Sequence, residues 1–144
     1  MIQGKPILES VLAPVLALIV WSLVMWLWMY VTRIPAMSKA GIKPQDARFP
    51  GSLSVLPDDA RAAADNYNHL MEQPTIFYAA ALAIAVAGHA DGWAVHFAWV
   101  YVGLRVLHSL VQVTVNVVNL RFLLFALSTI VLGVMVVREL MRIF

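Results

Sequence analysis

The feature that most constrains this chain is the length of its apolar runs. Residues 7–31 form a run of about 25 residues, and about 20 apolar residues are enough to cross a bilayer as a helix. Residues 93–118 and 122–137 form two more runs. Trp26 and Tyr30, near the end of the first run, suit the aromatic belt of a membrane interface. We interpret each run as a retained transmembrane helix.

The composition agrees with that interpretation. Of 144 residues, 62% are hydrophobic and 12% are charged, whereas about 25% are charged in a soluble domain. The chain is therefore predicted to be an integral membrane protein with a single domain over residues 1–144. Its ten Lys and Arg residues form no basic run, which argues against nucleic acid as a partner. It has no cysteine, so any thiol chemistry must use a thiol on a substrate.

A further helix, of mixed character, is predicted over residues 58–87. Its polar residues recur at steps of three or four, which places them on one helical face. The sequence then becomes apolar from residue 75 to 87. We expect the first half of this helix to lie at the interface and the second half to be buried. The polar face consists of Asp58, Arg61, Asp65, His69 and Glu72.

The predicted fold class is therefore all-α, a bundle of four transmembrane helices with a buried polar seam. Lys and Arg are enriched in cytoplasmic loops. Six of them flank the first loop and the last link, against three on the other side, so we expect the first loop in the cytoplasm and both termini outside it. The helices are expected at about residues 7–32, 58–87, 93–118 and 120–142, with the long first loop at 34–57.

One face of the third helix is polar although the helix is otherwise apolar. Four polar residues recur there at i, i+3, i+7 and i+11, which stacks them on one side. An Arg at the centre of a membrane helix costs about 2.5–3.5 kcal/mol, so it normally faces protein, water or a ligand. We interpret this stripe as the wall of a site, with Arg121 as a second cation near the same boundary. Its members are Arg105, His108, Gln112 and Asn116.

The same residues have a second, structural interpretation. Glu72 could pair with Arg105, while His108 and Asn68 complete hydrogen bonds that hold the helices together. However, three arginines converge on Glu72 as the single clear carboxylate at membrane depth. Guanidinium groups bind carboxylates through paired hydrogen bonds. The excess positive charge therefore favours a small anionic ligand.

Other motifs carry less information. His89 and His96 lack an acid or a cysteine that would complete a metal site, so no metal is expected. Residues 88–92 are interpreted as a turn. Ser128 and Thr129 are expected to form hydrogen bonds with their own helix.

The order and spacing of these residues resemble those of the MAPEG family, the membrane-associated proteins of eicosanoid and glutathione metabolism. The similarity rests on Glu72, Pro74, Arg105, His108 and Arg121 and covers about the whole chain. It is closest to the bacterial branch. The resemblance implies a homotrimer of four-helix subunits in the bacterial inner membrane. It also implies glutathione as co-substrate, bound between neighbouring subunits toward the cytoplasm.

The resemblance further implies roles for individual residues. Arg33 would contact glutathione, Glu72 would receive its ammonium group, and Arg121 would lie near its thiol. Arg105 and His108 match the functional pair of the third helix.

Two positions depart from the family pattern. His69 stands where the family commonly has Asn, a role that Asn68 or Asn66 could fill, and Gln112 stands where it commonly has Tyr. A glutamine can still bond a peptide, but it lacks the aromatic wall and the phenol. Binding is therefore better supported than catalysis. The predicted glutathione-binding residues are Arg33, Asn68, His69, Glu72, Arg105, His108, Gln112 and Arg121.

The leading hypothesis is a glutathione-dependent membrane enzyme, a transferase or peroxidase that acts on lipophilic electrophiles arriving from the bilayer. Arg121 is its predicted catalytic residue, because a cation at the sulfur favours the thiolate, which is the nucleophile. The alternative is a glutathione-binding or assembly protein that keeps this fold without turnover. A transporter is less favoured, since the four predicted helices show no internal repeat.

Overall fold

The computed structural model describes residues 10–49 and 51–144, which form four α-helices and a short 3-10 turn at Pro44–Ala47. The long helices pack as a bundle in which α1 lies against α2 and α3, and α3 lies against α4. The all-α prediction is confirmed. The predicted start of the first helix near residue 7 lies outside the described residues. The helices are α1 (Leu12–Lys39), α2 (Asp58–Val86), α3 (Gly92–Val113) and α4 (Val118–Ile143).

Three helices within the described ranges, α1, α3 and α4, are long and apolar enough to cross a membrane. These helices identify the chain as an integral membrane protein. The second helix is not in this group, because even its more apolar C-terminal part carries the polar residues His69, Glu72 and Gln73. Of the four predicted spans, three are thus long apolar helices in the described part of the chain, and α2 is a helix of mixed character.

The first helix is longer than predicted. It continues through Pro35 to Lys39, so the expected end near residue 32 and the loop from residue 34 are wrong. Pro35 removes one backbone donor and crowds the carbonyl four residues earlier, but membrane helices tolerate proline where neighbouring groups satisfy the freed carbonyl. Gly41 then ends the helix with a left-handed φ of 68°, and the Ile42 amide donates to the Met37 carbonyl at 3.0 Å.

The third helix is shorter than predicted. It ends at Val113 rather than near residue 118, and α4 begins at Val118 rather than near residue 120. Thr114 and its neighbours form a β-branched run, and such residues lower helix propensity. Asn116 has a left-handed φ of 49° and its amide donates to the Val111 carbonyl at 2.7 Å. Asn116 therefore belongs to the link between the helices and not to the helical stripe.

A stacked aromatic pair forms the centre of the bundle. Phe77 of α2 lies against Tyr101 of α3, with ring centroids 4.4 Å apart, and neither side chain is exposed. The Tyr101 hydroxyl donates to Gln73 Oε1 at 3.3 Å, and Gln73 Nε2 donates to Thr129 Oγ1 of α4 at 2.6 Å. These contacts fix the positions of three helices next to the polar layer described below.

The turn between α2 and α3 has a structural role that the sequence did not indicate. Asp91, which was assigned only to a turn, forms ion pairs with Arg138 and Arg142 near the end of α4. His89 Nδ1 lies 2.5 Å from Glu139 Oε1. These pairs join the turn to the end of the last helix.

This ion-pair network predicts acid sensitivity. The hydrogen bond from Arg138, together with the Ala94 amide and Arg142, holds the pKa of Asp91 well below its ordinary value. Because the pKa is lowered by folding, the stabilisation is present above about pH 4 and is lost as the pH falls below it. We expect Asp91→Asn to cost about 1–2 kcal/mol at neutral pH, a modest value because the site is partly solvated.

Circular dichroism melting in detergent between pH 3 and pH 7 would measure this effect. Asp91→Asn should lower the melting temperature at pH 7 and weaken its fall on acidification. Asp59→Asn, at an exposed position of α2, is the matched control and should behave like the wild type. Equal melting of the Asp91 variant and the wild type at pH 7 would contradict the predicted role.

Candidate functional site

The polar stripe of α3 faces the interior of the bundle. Arg105, His108 and Gln112 are 0%, 2% and 1% exposed, so all three are shielded from lipid. Asn116, the predicted fourth member, lies beyond the helix. Its side-chain oxygen accepts a hydrogen bond from Arg121 Nη1 at 2.6 Å. Asn116, in the link between α3 and α4, therefore connects the end of the stripe to the Arg121 side chain.

Arg105 contacts protein on every side. Its Nη2 donates to the backbone carbonyl of His69 at 3.2 Å, and its guanidinium lies 5.6 Å from the ring centroid of Phe125. No carboxylate in the described part of the chain lies within ion-pair distance of it. The pairing of Glu72 with Arg105, considered above, is thus not observed. Glu72 instead lies 3.5 Å from His69, and its side chain is 69% exposed.

Three rings form one wall of a cleft between α2, α3 and α4. The centroid distances are 5.7 Å between His69 and His108 and 6.4 Å from each of them to Phe125. The space beside them measures about 210 Å³ and is mostly apolar. We call it the Arg121 cleft. It is lined by His69, His108, Val118, Arg121, Phe122 and Phe125.

A polar cleft of about 220 Å³ adjoins the Arg121 cleft. Arg121 lines both of them, so its side chain stands at their junction. It is half-buried, and its Nε is buried without a hydrogen-bond partner among the described residues. The polar cleft is lined by Asp58, Arg61, Ala62, Asp65, Gln112, Asn116 and Arg121.

A larger cavity of about 460 Å³ lies between α1, the first loop and α2. Arg33 and Asn68 line this cavity, which we call the Arg33 cavity. It shares Arg61 and Asp65 with the polar cleft, so the two spaces lie on either side of the same part of α2. Its lining also includes Arg48, Phe49, Leu53 and Ser54.

The structure thus groups the predicted site residues within this chain as two sets. His69, His108, Gln112 and Arg121 lie around the Arg121 cleft and the polar cleft, whereas Arg33 and Asn68 line the Arg33 cavity. Glu72 and Arg105 line neither cleft nor the cavity.

Sequence reasoning missed two features of this region. In the sequence, Phe125 resembles any other apolar residue of a membrane helix. Only the folded structure shows that its ring lies beside two histidines. Arg48 entered the sequence analysis only through the count of basic residues that sets the orientation, yet it lines a cavity together with Arg61. The accumulation of basic residues around residues 33–61 was the available signal for the second feature.

Comparison with known proteins decides the family. The model of the MAPEG family matches residues 11–141, which include nearly all of the four helices. The chain belongs to the MAPEG family. No curated protein and no solved structure gives a significant match. Membership places this protein in a glutathione-related family of helical membrane proteins and confirms the resemblance noted in the sequence.

Proposed function

We propose that this MAPEG protein is a glutathione-dependent membrane enzyme, a transferase or peroxidase that acts on lipophilic electrophiles. One observation carries the proposal: Arg121 stands where a polar cleft meets a mostly apolar one. The polar cleft suits a peptide, and the apolar cleft suits an electrophile that enters from the bilayer. A cation between them is placed to act on the thiol of glutathione.

The proposed role of Arg121 follows from thiol chemistry. The thiolate is the nucleophile, and a neighbouring cation lowers the pKa of a thiol. The thiolate sulfur would attack the electrophilic atom of the second substrate, and the leaving group would depart with its bonding electrons. Because the chain has no cysteine, glutathione is the source of this sulfur.

Three proposed binding residues lie around the two clefts: His69, His108 and Gln112 would contact the peptide. Glu72 lines neither cleft but lies 3.5 Å from His69, and it would receive the ammonium group. Arg105 touches the His69 backbone and the Phe125 ring, so it acts as a positioning residue. Arg33 and Asn68 line the Arg33 cavity, and they stay in the proposed set as contacts for a glutathione molecule that lies between neighbouring subunits.

The position of Glu72 also supports the homotrimer. Its side chain is 69% exposed, and Met71 and Ile76 of the same helix are exposed as well. A carboxylate at membrane depth is costly unless protein, water or a ligand covers it. We therefore propose that a neighbouring subunit covers this face of α2.

Glu72→Gln tests the binding proposal. Without glutathione, the free energy of unfolding of the variant should lie within about 1 kcal/mol of the wild-type value, because the exposed contact with His69 contributes little. The stabilisation produced by glutathione, which follows RT ln(1 + [L]/Kd), should shrink because the ammonium group loses its partner. Thermal melting in detergent over a glutathione titration measures both, with Asp59→Asn as the control.

The possible outcomes distinguish a failure of the proposed glutathione site from a failure of the role proposed for Glu72. A wild type that gains no stability from glutathione would overturn the proposed function. A Glu72→Gln variant that melts much earlier when empty, yet gains as much from glutathione as the wild type, would instead assign Glu72 a purely structural role.

A further inference from the structure

His69 differs from the other polar side chains of the Arg121 cleft because it has an acidic neighbour. Its Nδ1 lies 3.5 Å from Oε2 of Glu72, about one turn further along α2. The other polar members of the lining, His108 and Arg121, have no carboxylate within ion-pair distance in the described part of the chain. The wall of the cleft thus contains a histidine–carboxylate pair beside a cation.

The contacts of His69 fix its position and leave one ring nitrogen for a substrate. Its backbone carbonyl accepts a hydrogen bond from Arg105 Nη2 at 3.2 Å, and its ring lies 5.7 Å from that of His108 and 6.4 Å from that of Phe125. Because Nδ1 faces Glu72, Nε2 is the nitrogen that remains available. The His69 side chain is 36% exposed, whereas His108 is buried, so His69 is the more accessible of the two histidines.

An imidazole in this position can act as a general acid. A positioned side chain that donates a proton to a leaving group typically accelerates a reaction by a factor of about 10²–10⁴. The benefit depends on the leaving group. A halide leaves an aryl ring without a proton, whereas an alkoxide is a strong base and leaves poorly unless it is protonated. A general acid beside the thiolate therefore favours electrophiles whose leaving atom is oxygen.

We propose that His69 is a catalytic acid for the reduction of lipid hydroperoxides, a role that rests on the glutathione-dependent function proposed above. The thiolate sulfur beside Arg121 attacks the terminal oxygen of the hydroperoxide, and the O–O bond breaks. Its electron pair goes to the alkoxide oxygen, which takes the proton from His69 Nε2 and leaves as an alcohol. Glutathione is oxidised to a sulfenic acid, which a second glutathione converts to the disulfide and water. His69 regains from solvent the proton that the first thiol released.

The surroundings of His69 are compatible with this reaction. Val118 and Phe122 supply apolar lining for the acyl chain, and His69 and Arg121 supply polar groups for its oxidised end. Glu72 can still receive the ammonium group of glutathione, because Oε2 faces His69 and Oε1 remains for the second contact.

The test compares two reactions of the full chain in detergent at saturating glutathione, the reduction of cumene hydroperoxide and the conjugation of an aryl halide. His69→Asn should lower kcat for the hydroperoxide about 100-fold. It should lower kcat for the aryl halide by a much smaller factor, because that reaction loses only a peptide contact. Imidazole added to His69→Ala should restore part of the hydroperoxide rate and none of the aryl halide rate. His96→Asn, at an exposed position of α3 that lines neither cleft, is the matched control and should keep both wild-type rates.

The two substrates separate this inference from the proposed function. Equal fold losses in both reactions, or no loss in either, would overturn the role of His69 as an acid. A wild type that conjugates the aryl halide but reduces no hydroperoxide would overturn the inference and leave the proposed function standing. A wild type with neither activity would overturn both. Thermal melting checks that the variants are folded, and His69→Gln replaces His69→Asn in the same comparison if the latter melts early.

Discussion

Arg121→Gln is expected to lower kcat/KM for glutathione conjugation about 100- to 1,000-fold. Removing one preorganised group that stabilises anionic charge in an active site typically lowers the rate by a factor of about this size. Arg121 is half-buried at the junction of the two clefts, so water that takes the place of its guanidinium in the variant should stabilise the thiolate poorly. Glutamine keeps an amide donor but is shorter than arginine and uncharged.

The measurement is glutathione conjugation to a generic aryl halide in detergent. Arg48→Gln, an arginine that lines neither cleft around Arg121, is the matched control and should retain the wild-type rate. The pH profile distinguishes the proposed role from simple damage. Without the cation the thiol should return toward its ordinary pKa of about 8.5, so raising the pH should restore part of the variant's rate. Equal rates for wild type and Arg121→Gln would remove Arg121 from the mechanism.

The helices were predictable because apolar length and polar periodicity are local properties of the sequence. The existence of all four follows from that pattern, but the end of α1 and the link between α3 and α4 do not. The sequence predicted a loop from residue 34, yet α1 continues through Pro35, whose φ is already helical. Asn116 looked like a helix residue by spacing, yet the β-branched run before it and its own tolerance of the left-handed region end α3 early.

The sequence could predict which site residues share a face of one helix, but not which other helices cover that face. The spacing of Arg105, His108 and Gln112 correctly placed them on one face, and the structure shows that face buried. The spacing carries no information about the elements that cover this face. The Phe125 ring on α4 and the His69 carbonyl on α2 contact Arg105 across the bundle, and neither partner has a sequence signature. Arg105 Nε and Nη1 remain buried without a hydrogen-bond partner among the described residues. The same limit applies to Asp91 and Arg138, whose pairing depends on how the end of α4 meets the turn.

Phe77→Ala should cause the largest loss of stability among single substitutions in the bundle core. The Phe77 side chain is 0% exposed and stacks on Tyr101 with ring planes 17° apart. Removing a buried Phe costs about 3–5 kcal/mol in water-soluble cores. We expect about 2–4 kcal/mol here, because lipid tails solvate an exposed ring nearly as well as protein does and the lost packing remains the main term.

The effect of Phe77→Ala should also reach the Arg121 cleft. The stack orients Tyr101, whose hydroxyl bonds Gln73, and Gln73 bonds Thr129 one turn after Phe125 on α4. If these contacts are loosened, the protein should gain less stability from added glutathione, and its melting temperature should also fall. Phe77→Leu refills most of the volume and should recover much of the stability. Phe144→Ala, at a fully exposed ring, should change neither quantity. A Phe77→Ala protein that melts like the wild type would show that the stacked pair does not hold α2 against α3.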